Sequence, residues 1–149
     1  MKDLFDPVTA SEIQNRLSLL QPDSKPLWGK MNVSQMVAHC KAPLHVALGE
    51  LPLKWTLIGK IFGKIAKRQM LKEADLKKNM PTAPQFLVRD ERNFNSEKQQ
   101  LLSLIQRFAA SDPDAIARVP HPFFGPMTKQ EWGALQWKHL DHHLKQFGA

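Results

Sequence analysis

Three of the six histidines in this sequence lie within five positions near its end, in the stretch KHLDHHLKQFG. His139 and His143 are four residues apart, so on an α-helix their side chains lie one turn apart on the same face. Two imidazole nitrogens in that arrangement can bind one metal ion. His142 can replace His143 on spacing alone, but its side chain points toward the edge of the helix. The spacing therefore favours His139 and His143.

A catalytic zinc ion usually has three protein ligands and one open position, so this pair needs a third ligand. His39 is the candidate, because it lies beside the apolar positions Met36 and Cys40 of another predicted helix. Pro43 cannot donate the helical hydrogen bond to the His39 carbonyl, and a kink there would open a ligand cavity. The competing interpretation is structural. A single His39 can be a buried histidine bonded to a backbone carbonyl, and histidines at a helix end are stabilised by the helix dipole.

Other side chains near this predicted site are candidates for a surrounding pocket. They are Trp28, Gln35, Trp132, Gln136 and Gln146. For each of them a structural role is the stronger interpretation, the tryptophans as core residues and Gln35 as a helix cap. His121 can approach the metal end because its loop leads directly into the last helix. No carboxylate base is predicted, since Asp141 lies about half a turn away from His139.

The hydrophobic pattern predicts four main helices that would position these residues. They are expected from about Thr9 to Leu20, from Asn32 to a stop at Gly49, from Ser96 to Ala110 and from Thr128 to Phe147. Capping signals are present at Thr9 with Glu12, Asn32 with Gln35, and Thr128 with Glu131. No segment alternates in the manner of a strand. The sequence predicts an all-α protein, a four-helix bundle with a long crossover between helices 2 and 3.

The chain length of 149 residues is typical of one domain, so residues 1–149 are expected to share one core. A single cysteine, Cys40, excludes an intramolecular disulfide and favours a reducing compartment. The opening MKDLFDPVTASEIQ has charges and a proline where a signal peptide has an apolar stretch. No run approaches the roughly 20 apolar residues of a membrane span. We therefore expect a soluble cytoplasmic protein.

The net charge of +7 is concentrated in the segment from Lys54 to Lys78, whose eight basic and two acidic residues give +6. Within it an apolar stripe recurs at helical spacing, formed by Ile58, Ile61, Phe62 and Ile65. This stripe is expected to close the bundle or a dimer interface. The alternative is a basic surface that binds anionic lipid or nucleic acid. Nucleic acid is disfavoured because no nucleic-acid motif is present.

Two stretches resemble the DinB/YfiT-like metalloenzyme superfamily: LWGKMNVSQMVAHC at residues 27–40 and EWGALQWKHLDHHLKQFG at residues 131–148. HPFFGPMTKQEW, together with the last helix, resembles a branch of that superfamily that is a domain family of unknown function. The resemblance implies an up-down four-helix bundle, often a homodimer, with metal ligands His39, His139 and His143. Several relatives continue with Arg-Gly-Gln after the second histidine of the pair, whereas this chain has Leu-Lys-Gln, so no particular substrate is carried over.

Three histidines with an open position suit Zn²⁺, Ni²⁺ or Fe²⁺. Such a metal can bring the pKa of a bound water or thiol toward neutrality. The predicted function is a metal-dependent enzyme acting on a small-molecule substrate, by hydrolysis or by transfer of a low-molecular-weight thiol. The alternatives are a metal-binding protein without turnover and the basic-surface interaction protein described above.

Overall fold

The computed structural model describes residues 2–54, 56–72 and 75–149. In these ranges the secondary structure is helical and contains no strand. One isolated β-bridge joins His121 and Gly125. The α-helices are α1 (Pro7–Leu19), α2 (Val33–Ala47), α3 (Leu57–Lys72), α4 (Phe94–Ala109), α5 (Pro113–Ala117) and α6 (Lys129–Gln146). The prediction of an all-α protein is confirmed.

Capping boxes begin the two helices that carry the histidines. At the start of α2, Asn32 Oδ1 accepts from the Gln35 amide while Gln35 Oε1 accepts from the Asn32 amide. Thr128 and Glu131 make the same reciprocal pair at the start of α6. Each box satisfies two amides that lack partners within the helix, which fixes where the helix begins. Both predicted boxes are confirmed.

The capping box predicted at Thr9 is wrong. Helix α1 begins two residues earlier, and the Asp6 carboxylate accepts hydrogen bonds from the amides of Val8 and Thr9. Proline suits the first helical position because its missing N–H would have no helical partner there. Pro7 occupies that position, and Glu12 pairs with Lys2 instead of capping the helix.

Helices α1, α2, α4 and α6 share one apolar core. Helices α1 and α2 each pack against both α4 and α6. The most deeply buried side chains of these helices include Ile13, Leu17, Met36, Leu44, Leu101, Ile105, Phe108 and Trp132. Full burial of one large apolar side chain contributes about 1.5–3 kcal/mol. The shared core therefore holds α2 beside α6, which brings the histidines of the two helices together.

The crossover between α2 and α4 contains α3. Its apolar stripe was expected to close the bundle, but Ile58, Ile61, Phe62 and Ile65 are each more than half exposed. The expectation that this stripe closes the bundle is therefore wrong, whereas its alternative, that the stripe forms a dimer interface, stays a prediction. Trp55, Glu73 and Ala74 of the basic segment lie outside the described residues. Among the residues that are described, none of the helices has both the length and the apolar character needed to cross a membrane.

Candidate metal centre

Helices α2 and α6 bring three histidines to one point. His39 comes from α2 and His139 and His143 come from α6. Each offers one ring nitrogen, and these nitrogens all lie within 4.8 Å of one another. His39 Nε2 is 3.1 Å from His139 Nε2. His39 and His143 are buried and His139 is partly buried, so this cluster can hold a metal ion.

The remaining nitrogens of two rings are held by neighbouring oxygens. His39 Nδ1 lies 2.9 Å from the Phe86 carbonyl oxygen, and His143 Nδ1 lies 2.8 Å from Gln146 Oε1. The Gln146 amide is itself oriented, because its Nε2 donates to the Trp28 carbonyl at 2.7 Å. Both oxygens can only accept, so each ring carries its proton on Nδ1 and its lone pair on Nε2.

The hydrogen bond between Gln146 and Trp28 depends on the glycine that follows Trp28. Gly29 has a φ of +82°, in the left-handed region. A Cβ at this position would lie 2.5 Å from Gln146 Nε2. Only glycine combines this backbone conformation with the space for the amide. Gly29 therefore supports His143 indirectly, through Gln146.

The three imidazoles are neutral at physiological pH. Burial lowers the pKa of His39 and lowers that of His139 well below its ordinary value, with the neighbouring histidines adding to the effect on His139. Burial, with a smaller contribution from His39, lowers the pKa of His143 to about 3. A metal ion binds the neutral form of histidine, so the cluster needs to lose no proton before binding.

The donor set of the cluster fits a cation. Because His39 and His143 carry their protons on Nδ1, their Nε2 atoms can only accept. Of the three Nε2 atoms, only that of His139 can carry a proton and donate it. The centre therefore has more acceptors than donors, which a positive ion would balance. His39 Nε2 and His139 Nε2 lie 3.1 Å apart, at hydrogen-bonding distance, so a proton on His139 joins the two rings and a bound cation would take its place. His139 Nδ1 is buried without a partner in the described structure.

A cavity of about 530 Å³ adjoins the histidines. The side chains of its wall are mainly apolar and include Trp28, Met31, Pro43, Phe86, Leu87 and Leu135. Pro43 lies inside α2, four residues after His39, and lines the same cavity. None of the described residues that line the cavity is an aspartate or a glutamate. The histidines therefore meet an apolar space of small-molecule size.

His121 also lines this cavity. Its Nδ1 accepts from the amides of Phe123 and Phe124 at 3.1 and 3.0 Å, so the proton lies on Nε2. Burial lowers its pKa to about 4, which keeps the ring neutral. His121 is thus a fixed hydrogen-bond donor, and its presence beside the three histidines agrees with the prediction that its loop approaches them.

His142 lines the cavity without joining the cluster. It is half-buried, contacts the edge of the Trp28 ring and is hydrogen-bonded to the backbone of Leu76. This agrees with the preference of the spacing for His143. Trp28 was expected in the core, and that expectation is wrong, because its ring is partly exposed in the cavity wall.

The other candidate pocket residues have structural roles. Trp132 is fully buried and donates to the Val119 carbonyl, and Gln136 is fully buried and donates to the Pro43 carbonyl. Gln35 caps α2. Asp141 is paired with Arg16 at 2.7 Å and points away from the histidines, as predicted. Of the candidates only Gln146 and Trp28 belong to the site itself.

Sequence reasoning missed the segment from Leu76 to Val88. It supplies the carbonyl of Phe86 that holds His39, and much of the cavity wall. A backbone carbonyl has no side-chain signature, and this proline-rich segment has no periodicity that would place it. The nearest signal was the expectation that a single buried histidine bonds to a carbonyl, which His39 does in addition to joining the cluster.

Fold and site together define an all-helical protein with a three-histidine cluster beside an apolar cavity. The chain belongs to the family described as "Protein of unknown function (DUF1569)", whose model matches residues 7–149. No curated protein and no solved structure matches the chain. The prediction of a domain family of unknown function is confirmed. Membership of the DinB/YfiT-like superfamily stays a prediction.

Proposed function

We propose that His39, His139 and His143 bind one divalent metal ion, and that the protein uses it to act on a small molecule held in the adjoining cavity. The convergence of three neutral imidazoles within 4.8 Å is the observation that carries the proposal. The outer nitrogens of His39 and His143 are held by Phe86 and Gln146, as is usual for histidines that bind a metal. Imidazole ligands suit Zn²⁺, Ni²⁺ or Fe²⁺.

A metal ion held by the three histidines would keep an open position. Its Lewis acidity would act on a water, a thiol or a carbonyl bound there. The chain's own residues bind and orient the reactant. The apolar wall takes up its hydrocarbon part and displaces water, and the His121 Nε2–H donates to a polar group. Together these groups place one polar end of a mainly apolar molecule beside the histidines.

The reaction we propose is hydrolysis or the transfer of a low-molecular-weight thiol. The absence of a carboxylate among the described residues of the cavity wall favours chemistry that needs no carboxylate base. The resemblance of residues 27–40 and 131–148 to DinB/YfiT-like proteins supports thiol transfer in particular. In this proposal α1, α2, α4 and α6 are the up-down bundle of that superfamily, and their mutual packing supports it. The homodimer that the resemblance implies is part of the same proposal.

Metal analysis of the purified protein tests the site. Protein stripped with a chelator, reloaded with Zn²⁺ and desalted should retain one ion per chain, and His139→Ala should retain none. His142→Ala is the matched control, because it removes an adjacent histidine outside the cluster and should leave the metal content unchanged. A folded wild-type protein that takes up no Zn²⁺, Ni²⁺ or Fe²⁺ would refute the proposal, as would equal metal content in wild type and His139→Ala.

A ligand screen tests the substrate class. Thiols, acyl thioesters and small electrophiles are added to the metal-loaded and the metal-free protein, and the thermal midpoint is measured. A ligand that engages the metal should raise the midpoint of the loaded form alone, since stabilisation follows occupancy of the folded state. Equal shifts in both forms would show binding in the cavity without the metal and would contradict the proposed role of the ion.

A further inference from the structure

Helix α3 faces the rest of the protein with its smallest residues. Gly59 and Gly63, one turn apart, lie against the backbone of Phe123, and a Cβ added to either would overlap the Phe123 carbonyl oxygen. Both glycines are buried. The close approach of two backbones requires glycine here, so this side of α3 is the side that docks.

Polar bonds hold the same side of the helix. Lys67 donates to the Pro126 carbonyl at 3.0 Å and pairs with Glu131 at 2.9 Å, and Lys138 of α6 donates to the Met70 carbonyl at 3.0 Å. Met70 itself is buried. These bonds fix the rotation of α3 about its own axis, and the large apolar side chains are therefore directed outward.

The outward face combines apolar and basic side chains. The apolar ones are Leu57, Ile58, Ile61, Phe62 and Ile65, each at least 56% exposed. At 100° per residue Arg68 and Lys72 continue the line of Leu57, Ile61 and Ile65, and both are exposed. Apart from Lys67, which bonds to Pro126 and Glu131, the helix has four basic residues and no acidic one between Leu57 and Lys72. A contiguous apolar patch bordered by cations indicates a binding surface.

We propose that the outward face of α3 binds the surface of an anionic lipid membrane. Such a helix lies in the interface, with aliphatic and aromatic side chains in the acyl boundary and basic side chains at the anionic headgroups. The charge argues against a second copy of the chain, because a symmetric contact would bring two sets of cations together. Nucleic acid would neutralise the lysines and leave Ile58, Ile61 and Phe62 in water. This surface is independent of the histidine cluster.

Vesicle co-sedimentation of the full chain tests the proposal. Wild type should bind phosphatidylcholine vesicles containing 30% phosphatidylglycerol at least tenfold more tightly than pure phosphatidylcholine, because each basic residue near an anionic surface contributes about fivefold. Raising the salt should weaken this binding. Ile61→Glu should lower affinity at least tenfold through loss of apolar burial, and Arg68→Glu should do the same through charge. Leu19→Glu is the matched control: Leu19 is an aliphatic residue of α1 that is 71% exposed, and the variant should bind as wild type does.

Four outcomes would overturn the proposal. The first is absence of binding to anionic vesicles by wild type that is folded by circular dichroism. The second is a concentration-dependent dimer, seen by light scattering and lost in Ile61→Glu, without vesicle binding, which would identify a second copy as the occupant. The third is duplex DNA binding that Arg68→Glu abolishes and Ile61→Glu leaves intact, again without vesicle binding. Equal loss of vesicle binding in Leu19→Glu would also count against it.

Discussion

Gln146 holds His143 in place, and replacing it with methionine tests how the cluster is positioned. The substitution keeps the length and apolar stem of the side chain and removes two hydrogen bonds, one from His143 Nδ1 and one to the Trp28 carbonyl. A buried donor left unpaired costs about 1–3 kcal/mol. The groups that lose a partner are therefore His143 Nδ1 and the Trp28 carbonyl.

The cost should appear chiefly in metal affinity, because His143 can rotate away once its outer nitrogen is released. Loss of such a partner lowers metal affinity by about 10- to 100-fold, or about 1.4–2.7 kcal/mol. We expect this from Zn²⁺ titration against a competing chelator, with the unfolding of the metal-free protein measured alongside. Gln146→Glu keeps an acceptor for His143 and should retain more affinity than Gln146→Met.

The matched control is Gln136→Met, on the same helix. Gln136 is also fully buried, and its amide donates to the Pro43 carbonyl, with no hydrogen bond to the three histidines in the described residues. This variant can change the free energy of unfolding but should leave the zinc affinity at the wild-type value. The reasoning is refuted if Gln146→Met binds zinc as tightly as wild type, or if both variants lose affinity equally.

Three further predictions concern pH and two glycines. The pKa of His143 is about 3 in the folded chain and about 6.5 in the unfolded chain. The folded form therefore binds fewer protons than the unfolded form between these pH values. Lowering the pH from 7.5 to 5.5 should reduce the free energy of unfolding of the metal-free protein by about 1.4 kcal/mol through His143 alone. Urea titration should show this fall, and a smaller fall in His143→Gln; equal slopes would contradict it. Gly29→Ala should lower the free energy of unfolding, measured by thermal denaturation, by about 1–3 kcal/mol, and it should also weaken zinc binding. Gly49 is the control, because its φ is also positive, at +73°, but a Cβ there would have no neighbour closer than 3.9 Å. Gly49→Ala should therefore lower the stability alone. Gly63→Ala should loosen α3 and speed tryptic cleavage at its lysines, and an unchanged cleavage rate would show that the close contact with Phe123 is not needed.

The parts of the fold that were predictable are those with local causes. The capping boxes at Asn32 and Thr128 were readable because cap and partner are three residues apart and bond to each other. The same logic failed at Thr9, because an aspartate followed by proline just upstream is a better helix start. Where two local signals compete, their relative strength decides the outcome, and spacing alone does not give it.

The site divides in the same way. The spacing of four residues predicts that the side chains of His139 and His143 lie on the same face of their helix, and the structure places them together. His39 joins the cluster through the packing of α2 against α6. The resemblance to DinB/YfiT-like proteins predicted this better than the pattern of residues around His39 did. The bond from His39 to the Phe86 carbonyl and the position of Trp28 depend on how loops lie across the bundle. The outward rotation of α3 depends on glycines meeting a distant backbone, which no helical pattern encodes.

His39 and His139 are separated by 100 residues of chain. An ion bound to both would act as a reversible cross-link between α2 and α6. Closing a loop of that length by a covalent bond destabilises the unfolded chain by about 4.7 kcal/mol, and an ion can contribute as much only while it stays bound. Since each tenfold rise in free metal above its dissociation constant adds about 1.4 kcal/mol, metal supply would set the free energy of unfolding as well as the chemistry.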